Sequence, residues 1–210
     1  ANKSCPGKII WTAYSMPASK NNKHHKTAGL LVISVCALSI LFPASADPKN
    51  IEFTYTRTYI ENGTCYLDAD LEIELTDEAL KALRHGIALA IHTHFQLHQD
   101  RKWLWDREIS DIKLMYRLEH QPLTEDYLTI DLKTGLRRSY NSLEAALNYL
   151  SSISRLPVSP ANVLTGDQRY NARVRTYLDL ESLPTPIRPQ AYFSPNWDIA
   201  SDWYQWELTP

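Results

Sequence analysis

The amino-acid sequence predicts a mainly β protein: an antiparallel two-sheet β-sandwich with two short helices. Two observations favour this fold class. Apolar and polar residues alternate with a period of two in several segments, as they do in half-buried strands. An Asn-Gly pair, which favours a tight hairpin because both residues tolerate positive φ, joins the first two segments. The alternative is an α+β fold in which a helix at Ser142–Ser152 packs on one antiparallel sheet.

The clearest strand is Tyr66–Leu75. Its apolar residues are Leu67, Ala69, Leu71, Ile73 and Leu75, and the acids Asp68, Asp70, Glu72 and Glu74 occupy the alternate positions. One face of the sheet is therefore buried and the acidic row is solvated. We expect this row to pair with Arg173 and Arg175 on another strand, rather than to supply catalytic carboxylates.

The remaining strands follow from the same pattern. Ile51–Ile60 precedes Tyr66–Leu75, and Asn62-Gly63 joins the two as a hairpin. A second hairpin turns at Lys133-Thr134-Gly135. The other predicted strands are Ile87–Leu97, Ile112–Leu118, Tyr127–Leu132, Leu136–Tyr140, Tyr170–Leu180 and the aromatic tail Trp197–Leu208.

Two short helices interrupt the strands. Thr76 caps the first, which ends before Gly86. Asn141 or Ser142 caps the second, with Glu144 placed three residues after Asn141 as in a capping box. The residues that the second helix buries are Leu143, Ala146, Leu147, Leu150 and Ile153.

Two further segments are expected to lack regular structure. Pro157–Gly166 is predicted to be a loop. Leu183–Pro195 holds four prolines, so an extended wrap is predicted there, because proline cannot donate a backbone hydrogen bond.

The first 46 residues have the three parts of a secretory signal peptide. Five lysines and no acid precede the apolar run Leu30–Phe42, and Ala44-Ser45-Ala46 follows it. The run is shorter than the roughly 20 residues that a membrane-spanning helix needs. We expect cleavage after Ala46, a periplasmic location if the source is bacterial, and no stable membrane anchor after cleavage.

The first methionine, Met16, divides this leader. We assign residues 16–46 to the signal peptide and residues 1–15 to an upstream extension, with a long basic n-region as the alternative. Residues 47–210 form a single mainly β domain in this interpretation.

Charge and cysteine content exclude several classes of function for residues 47–210. This part holds all 24 acidic residues against 17 lysines and arginines, which gives a net charge of −7. We therefore expect neither a nucleic acid nor an anionic membrane surface as partner. Cys65 is its one cysteine, so no internal disulfide can form. Its four glycines all lie at turns, helix ends or loops, which leaves none for a phosphate-binding glycine loop.

Three histidines lie on one face of the predicted strand Ile87–Leu97 and its continuation. His92 and His94 could reach one zinc or copper ion, whereas His98 lies about 13 Å from His94 along an extended strand. Other ligands, such as the acidic row, would have to complete such a site. The alternative is a polar sheet face that happens to carry histidines, with no cofactor.

The sequence contains no recognisable arrangement of catalytic residues. The remaining indication of function comes from its aromatic residues. Trp103 and Trp105 lie two residues apart beside Arg107, and more tryptophans crowd the tail. Tryptophan with arginine is typical of partner surfaces, although aromatic residues also close the open edge of a sandwich.

Three functions are compatible with these observations. The first is a non-enzymatic interaction module that contacts an envelope or inner-membrane protein. The second is a carrier of a small apolar ligand held between the sheets. The third is a metal protein that uses His92 and His94.

Residues 86–208 resemble a family of exported proteobacterial proteins, domain of unknown function 4390, also described as proline-rich signal peptide proteins. The matching pieces are Gly86–Leu89, Arg101–Asp106, Tyr116–Leu118, Leu123–Tyr127, Ser142–Leu147, Tyr170–Arg175, Leu178-Asp179, Leu183-Pro184 and Trp197–Trp203. The resemblance implies an envelope protein and transfers no catalytic residue. It gives no support to the metal site, because a His-x-His pair does not mark this strand in the family. Family members encoded near a membrane sensor kinase imply a link to signalling.

Overall fold

In the part of the chain that the structure describes, nine strands form two antiparallel sheets. The structure is a computed structural model and describes residues 50–101, 105–166 and 168–208. The strands are β1 (Ile51–Glu61), β2 (Thr64–Ile73), β3 (Leu89–Gln99), β4 (Arg107–Gln121), β5 (Asp126–Asp131), β6 (Arg137–Tyr140), β7 (Ser152–Pro160), β8 (Tyr170–Leu178) and β9 (Tyr204–Leu208). One sheet has the order β1-β2-β7, and the other has the order β6-β5-β4-β3-β8-β9. The predicted fold class is thereby confirmed.

Two predicted segments lie outside the described residues. They are the extension 1–15 and the signal peptide 16–46, so the domain boundaries stay predictions.

The β1–β2 hairpin turns where the Asn-Gly pair predicts it. Asn62 has φ of 49° and Gly63 has φ of +76°, which suits the right-handed twist of the two strands. The register places Glu61 opposite Thr64 and continues without a shift to Tyr55.

The alternation in β2 is confirmed, but the expected partners of its acids are wrong. Leu67 is fully buried, whereas Asp70 is exposed. Asp70 accepts a hydrogen bond from the Ser152 hydroxyl on β7, at 3.0 Å. Arg173 and Arg175 lie instead on β8 of the other sheet.

Strand β7 was not predicted. Ile153 was assigned to the second helix and Pro157–Gly166 to a loop, yet both Ile153 and Pro157 pair with β2. β7 is an edge strand, with a partner strand on one side only. A proline whose nitrogen faces the side without a partner removes no hydrogen bond from the sheet. Two register shifts accommodate the strand, and Arg155 adopts a positive φ of 53° at one of them.

Helices α1 (Asp77–Arg84) and α2 (Leu143–Leu150) confirm the two predicted helices. Thr76 caps α1, where its hydroxyl accepts the Ala79 N–H at 3.3 Å. Ser142 rather than Asn141 caps α2, so the residue three positions after the cap is Ala145 and the expected role of Glu144 was wrong.

A third helix, α3 (Arg188–Phe193), lies within the segment Leu183–Pro195 that was predicted to be extended. Pro189 sits in its first turn, where the missing N–H would have had no helical partner. Proline content alone therefore does not distinguish a wrap from the start of a helix.

The core lies between the inner faces of the two sheets. It includes Leu67 and Leu71 of β2 together with Phe95 and Leu97 of β3. The even-numbered residues of β3 point away from this core, so they form the outer face of the six-stranded sheet. That outer face carries the histidines discussed below.

Candidate functional site

His92 and His94 lie next to each other on the outer face of β3, but each has a carboxylate of its own. His94 Nε2 is 2.9 and 3.0 Å from the two carboxylate oxygens of Asp111 on β4. His92 Nε2 is 4.0 Å from a carboxylate oxygen of Asp179, at the other side of β3. The described residues contain no group of three or more histidine, cysteine, aspartate or glutamate side chains placed to hold one ion. Zinc or copper at this pair stays a prediction from the sequence.

The local environment shifts the pKa of one residue in each pair. Burial lowers the pKa of His92 below its ordinary value of 6.5, with Asp179 opposing and Lys113 adding to this shift. Hydrogen bonds from Gln96 and His94 lower the pKa of Asp111 below 3.8, against the effect of its burial. A neutral imidazole and an ionised carboxylate therefore coexist on this face near neutral pH.

Trp105 is almost completely exposed. Its exposed fraction is 93%, and Arg107, the first residue of β4, is also exposed. Both lie in or next to the connection between β3 and β4. Trp103 lies outside the described residues, so its sharing of a face with Trp105 stays a prediction.

The aromatic tail has two roles rather than one. Trp197 is buried, and the Trp206 indole donates a hydrogen bond to Thr58 Oγ1 at 3.3 Å, so these two residues close the core. Trp203 lies on the outer face, with its ring 5.5 Å from that of His94. The strand in this tail is shorter than predicted, because residues 195–197 form a 3₁₀ turn instead.

A cavity of about 330 Å³ opens between the sheets beside the unpredicted strand β7. Its residues come from β3, β4, α2 and β7: Thr93, Leu114, Tyr116, Tyr149, Leu150 and the segment 152–157. Burial and the neighbouring Tyr149 raise the pKa of Tyr116 to about 12, so this phenol is neutral at physiological pH. The hypothesis of a ligand held between the sheets requires such a cavity, but its position and lining were not predicted, since one wall is a strand that was assigned to helix and loop.

Cys65 is fully buried next to the first hairpin. Burial raises the pKa of its thiol above the ordinary value, which keeps it protonated. The reactive thiolate that nucleophilic catalysis requires is therefore disfavoured at this position.

Comparison with known families identifies the chain. The model of the domain of unknown function DUF4390 matches residues 49–207. The chain belongs to this family. The match spans every strand from β1 to β8 and nearly all of β9, so the DUF4390 domain includes both sheets, the cavity and Trp105.

Other comparisons add nothing to the DUF4390 assignment. Neither curated proteins nor solved structures give a match. Across the described parts of the chain, no helix combines the length and the apolar character needed to cross a bilayer.

Proposed function

We propose that the protein is a non-enzymatic interaction module of the cell envelope, exported to the periplasm by the leader 16–46, whose partner is an envelope or inner-membrane protein of a sensor-kinase system. The observation that supports this function is the 93% exposure of Trp105 beside the exposed Arg107. The leader and the family resemblance support the location.

The energetic argument concerns the indole of Trp105. A tryptophan side chain offers up to about 250 Å² of surface, and burying it is worth several kcal/mol at about 25 cal/mol per Å². In the isolated chain this surface stays in water. A partner that covers the indole recovers that free energy, which is why tryptophan and arginine dominate the binding energy of interfaces.

We expect a photo-crosslinking residue, p-benzoylphenylalanine, at position 105 to give one discrete adduct with an envelope protein in the native bacterium. The matched control is the same residue at position 193, because Phe193 is 89% exposed but lies on α3. Mass spectrometry identifies the adduct, and Arg107→Ala should weaken its formation.

An absence of adducts from position 105, or identical adducts from positions 105 and 193, would contradict this function. Circular dichroism of each variant shows whether the domain is folded. Position 107 provides a second crosslinking site if the residue at 105 faces away from the partner.

The cavity favours a second candidate function, the carriage of a small apolar ligand. Its volume lies at the lower end of the roughly 300–1,000 Å³ that ligand pockets occupy. Leu114, Leu150 and Ile153 line it together with the neutral phenol of Tyr116. The apolar part of this lining suits an uncharged molecule with one hydrogen-bonding group, since the exposed Arg155 that also lines the cavity is already paired with Glu61 at 2.7 Å.

We expect the neutral fluorescent probe N-phenyl-1-naphthylamine to bind in this cavity. Leu114→Trp fills the space and should weaken probe binding by about tenfold or more, which corresponds to ~1.4 kcal/mol. Leu132→Trp makes the same exchange outside the cavity lining and should leave the affinity unchanged. Equal affinities for both variants and the parent protein would contradict this function.

A further inference from the structure

Two arginines of β8 share the outer face of the six-stranded sheet with the histidines. Arg173 and Arg175 are two residues apart on one strand, so their side chains leave the same face about 6.6 Å apart. Both side chains are half-buried. They lie on the same face as His94, which is directly opposite Arg175 in the register.

Neutral partners orient both guanidinium groups. Arg173 Nε donates a hydrogen bond to the Gln96 side-chain oxygen at 2.7 Å, and Arg175 Nε donates to the Ser201 carbonyl at 3.1 Å. The central guanidinium carbon of Arg173 is 4.7 Å from the centre of the Trp203 ring. The contacts of Arg173 occupy its Nε and one face of its guanidinium group, and the hydrogen bond of Arg175 occupies its Nε, so both groups are restricted in rotation.

Asp111, which lies on the same face as these arginines, is engaged elsewhere. Asp111 accepts a hydrogen bond from Gln96 Nε2 at 2.9 Å and contacts His94, so Gln96 separates this carboxylate from Arg173. Within residues 50–101, 105–166 and 168–208, no carboxylate lies within ion-pair distance of either guanidinium. Both half-buried guanidinium groups therefore keep their positive charge available in a domain with a net charge of −7.

A third cation lies across the sheet from the pair. Lys113 of β4 is exposed and lies directly opposite His94 in the register of β3 and β4. His94 lies directly opposite Arg175 in the register of β3 and β8. Lys113, His94 and Arg175 therefore follow one another across three neighbouring strands. Three permanent cations, two of them with oriented guanidinium groups, are thus presented on one face.

We propose that Arg173, Arg175 and Lys113 form a binding site for a phosphate group. Guanidinium groups match the oxygens of phosphate with paired N–H donors, and a doubly charged group can engage both arginines at once. The phosphate belongs either to a soluble molecule or to a lipid headgroup, and the net charge of −7 favours the soluble source. This site is independent of the interaction at Trp105 and of the cavity.

Nuclear magnetic resonance of the arginine Nε–Hε groups tests the site directly. We expect inorganic phosphate to shift the Arg173 and Arg175 resonances together, with one dissociation constant. Arg173→Gln and Arg175→Gln should each raise that constant by about tenfold. Arg169→Gln, which removes the same charge from an exposed arginine next to β8, should leave it unchanged.

A second arm uses vesicles that contain phosphatidic acid, whose headgroup is a phosphate monoester, with phosphatidylcholine vesicles as the control. Sedimentation with the phosphatidic acid vesicles but not with the control vesicles would support a lipid as the source of the phosphate, provided that Arg175→Gln abolishes it and Arg169→Gln does not. Unshifted arginine resonances in the parent protein together with no vesicle binding would overturn the proposal. Equal weakening by Arg169→Gln and Arg175→Gln would overturn it as well, since it would show attraction by overall charge. The measurements on the parent protein hold even if a variant fails to fold.

Discussion

Phe95→Ala is expected to lower the free energy of unfolding by about 3–5 kcal/mol. Phe95 is 1% exposed at the middle of β3, and its ring lies 6.2 Å from that of Trp206. Truncation removes the apolar contacts and leaves a void between the two sheets, because close-packed neighbours relax only partly. Urea unfolding followed by circular dichroism measures the loss.

Phe193→Ala is the control for this experiment. The same truncation at an exposed position of α3 should change the free energy of unfolding by no more than ~0.5 kcal/mol. A loss below about 1 kcal/mol for Phe95→Ala would contradict a core in which the Phe95 side chain packs between the two sheets.

A buried pair of threonines gives the second large effect. The hydroxyl oxygens of Thr93 and Thr176 are 2.9 Å apart, and Thr176 is fully buried. Thr93→Val keeps the shape of the side chain but leaves the Thr176 hydroxyl without this partner, so we expect a loss of about 1–3 kcal/mol. The double variant Thr93→Val/Thr176→Val removes both hydroxyls and should be closer in stability to the parent than the single variant.

A double-mutant cycle measures the coupling between these two side chains. The free energies of unfolding of the parent, both single variants and the double variant give a coupling energy of about 0.5–3 kcal/mol if the pair is bonded as described. Strictly additive losses would show that the two hydroxyls do not depend on each other.

Local patterns predicted most of the strands, because alternation and turn residues act over short stretches of chain. The first hairpin follows directly from Asn62-Gly63. Strand β2 follows from the alternation of apolar and acidic residues that begins at Leu67. The same pattern does not specify which strands pair. Arg173 was therefore expected to pair with the acidic row of β2, whereas its side chain donates a hydrogen bond to Gln96 of β3.

Two competing signals obscured β7, and with it part of the candidate site. Ile153 continues the apolar spacing of α2, and Pro157 is typical of loops, yet both pair with β2 because the edge of that sheet accepts them. The cavity depends on β7, and the contact of Trp203 with His94 depends on the tail lying beside β8, the neighbour of β3. Neither feature has a local signal in the sequence.

The strand order also has a kinetic consequence. The middle of the larger sheet forms only when β3 meets β8, and the smaller sheet is complete only when β2 meets β7. Contacts this distant in sequence slow folding, typically to milliseconds or seconds, because long loops must close first. A chain that emerges from the ribosome amino-terminus first cannot complete either sheet until most of it has been synthesised. The delay leaves the polypeptide unfolded for longer, and an unfolded chain is what the proposed export requires.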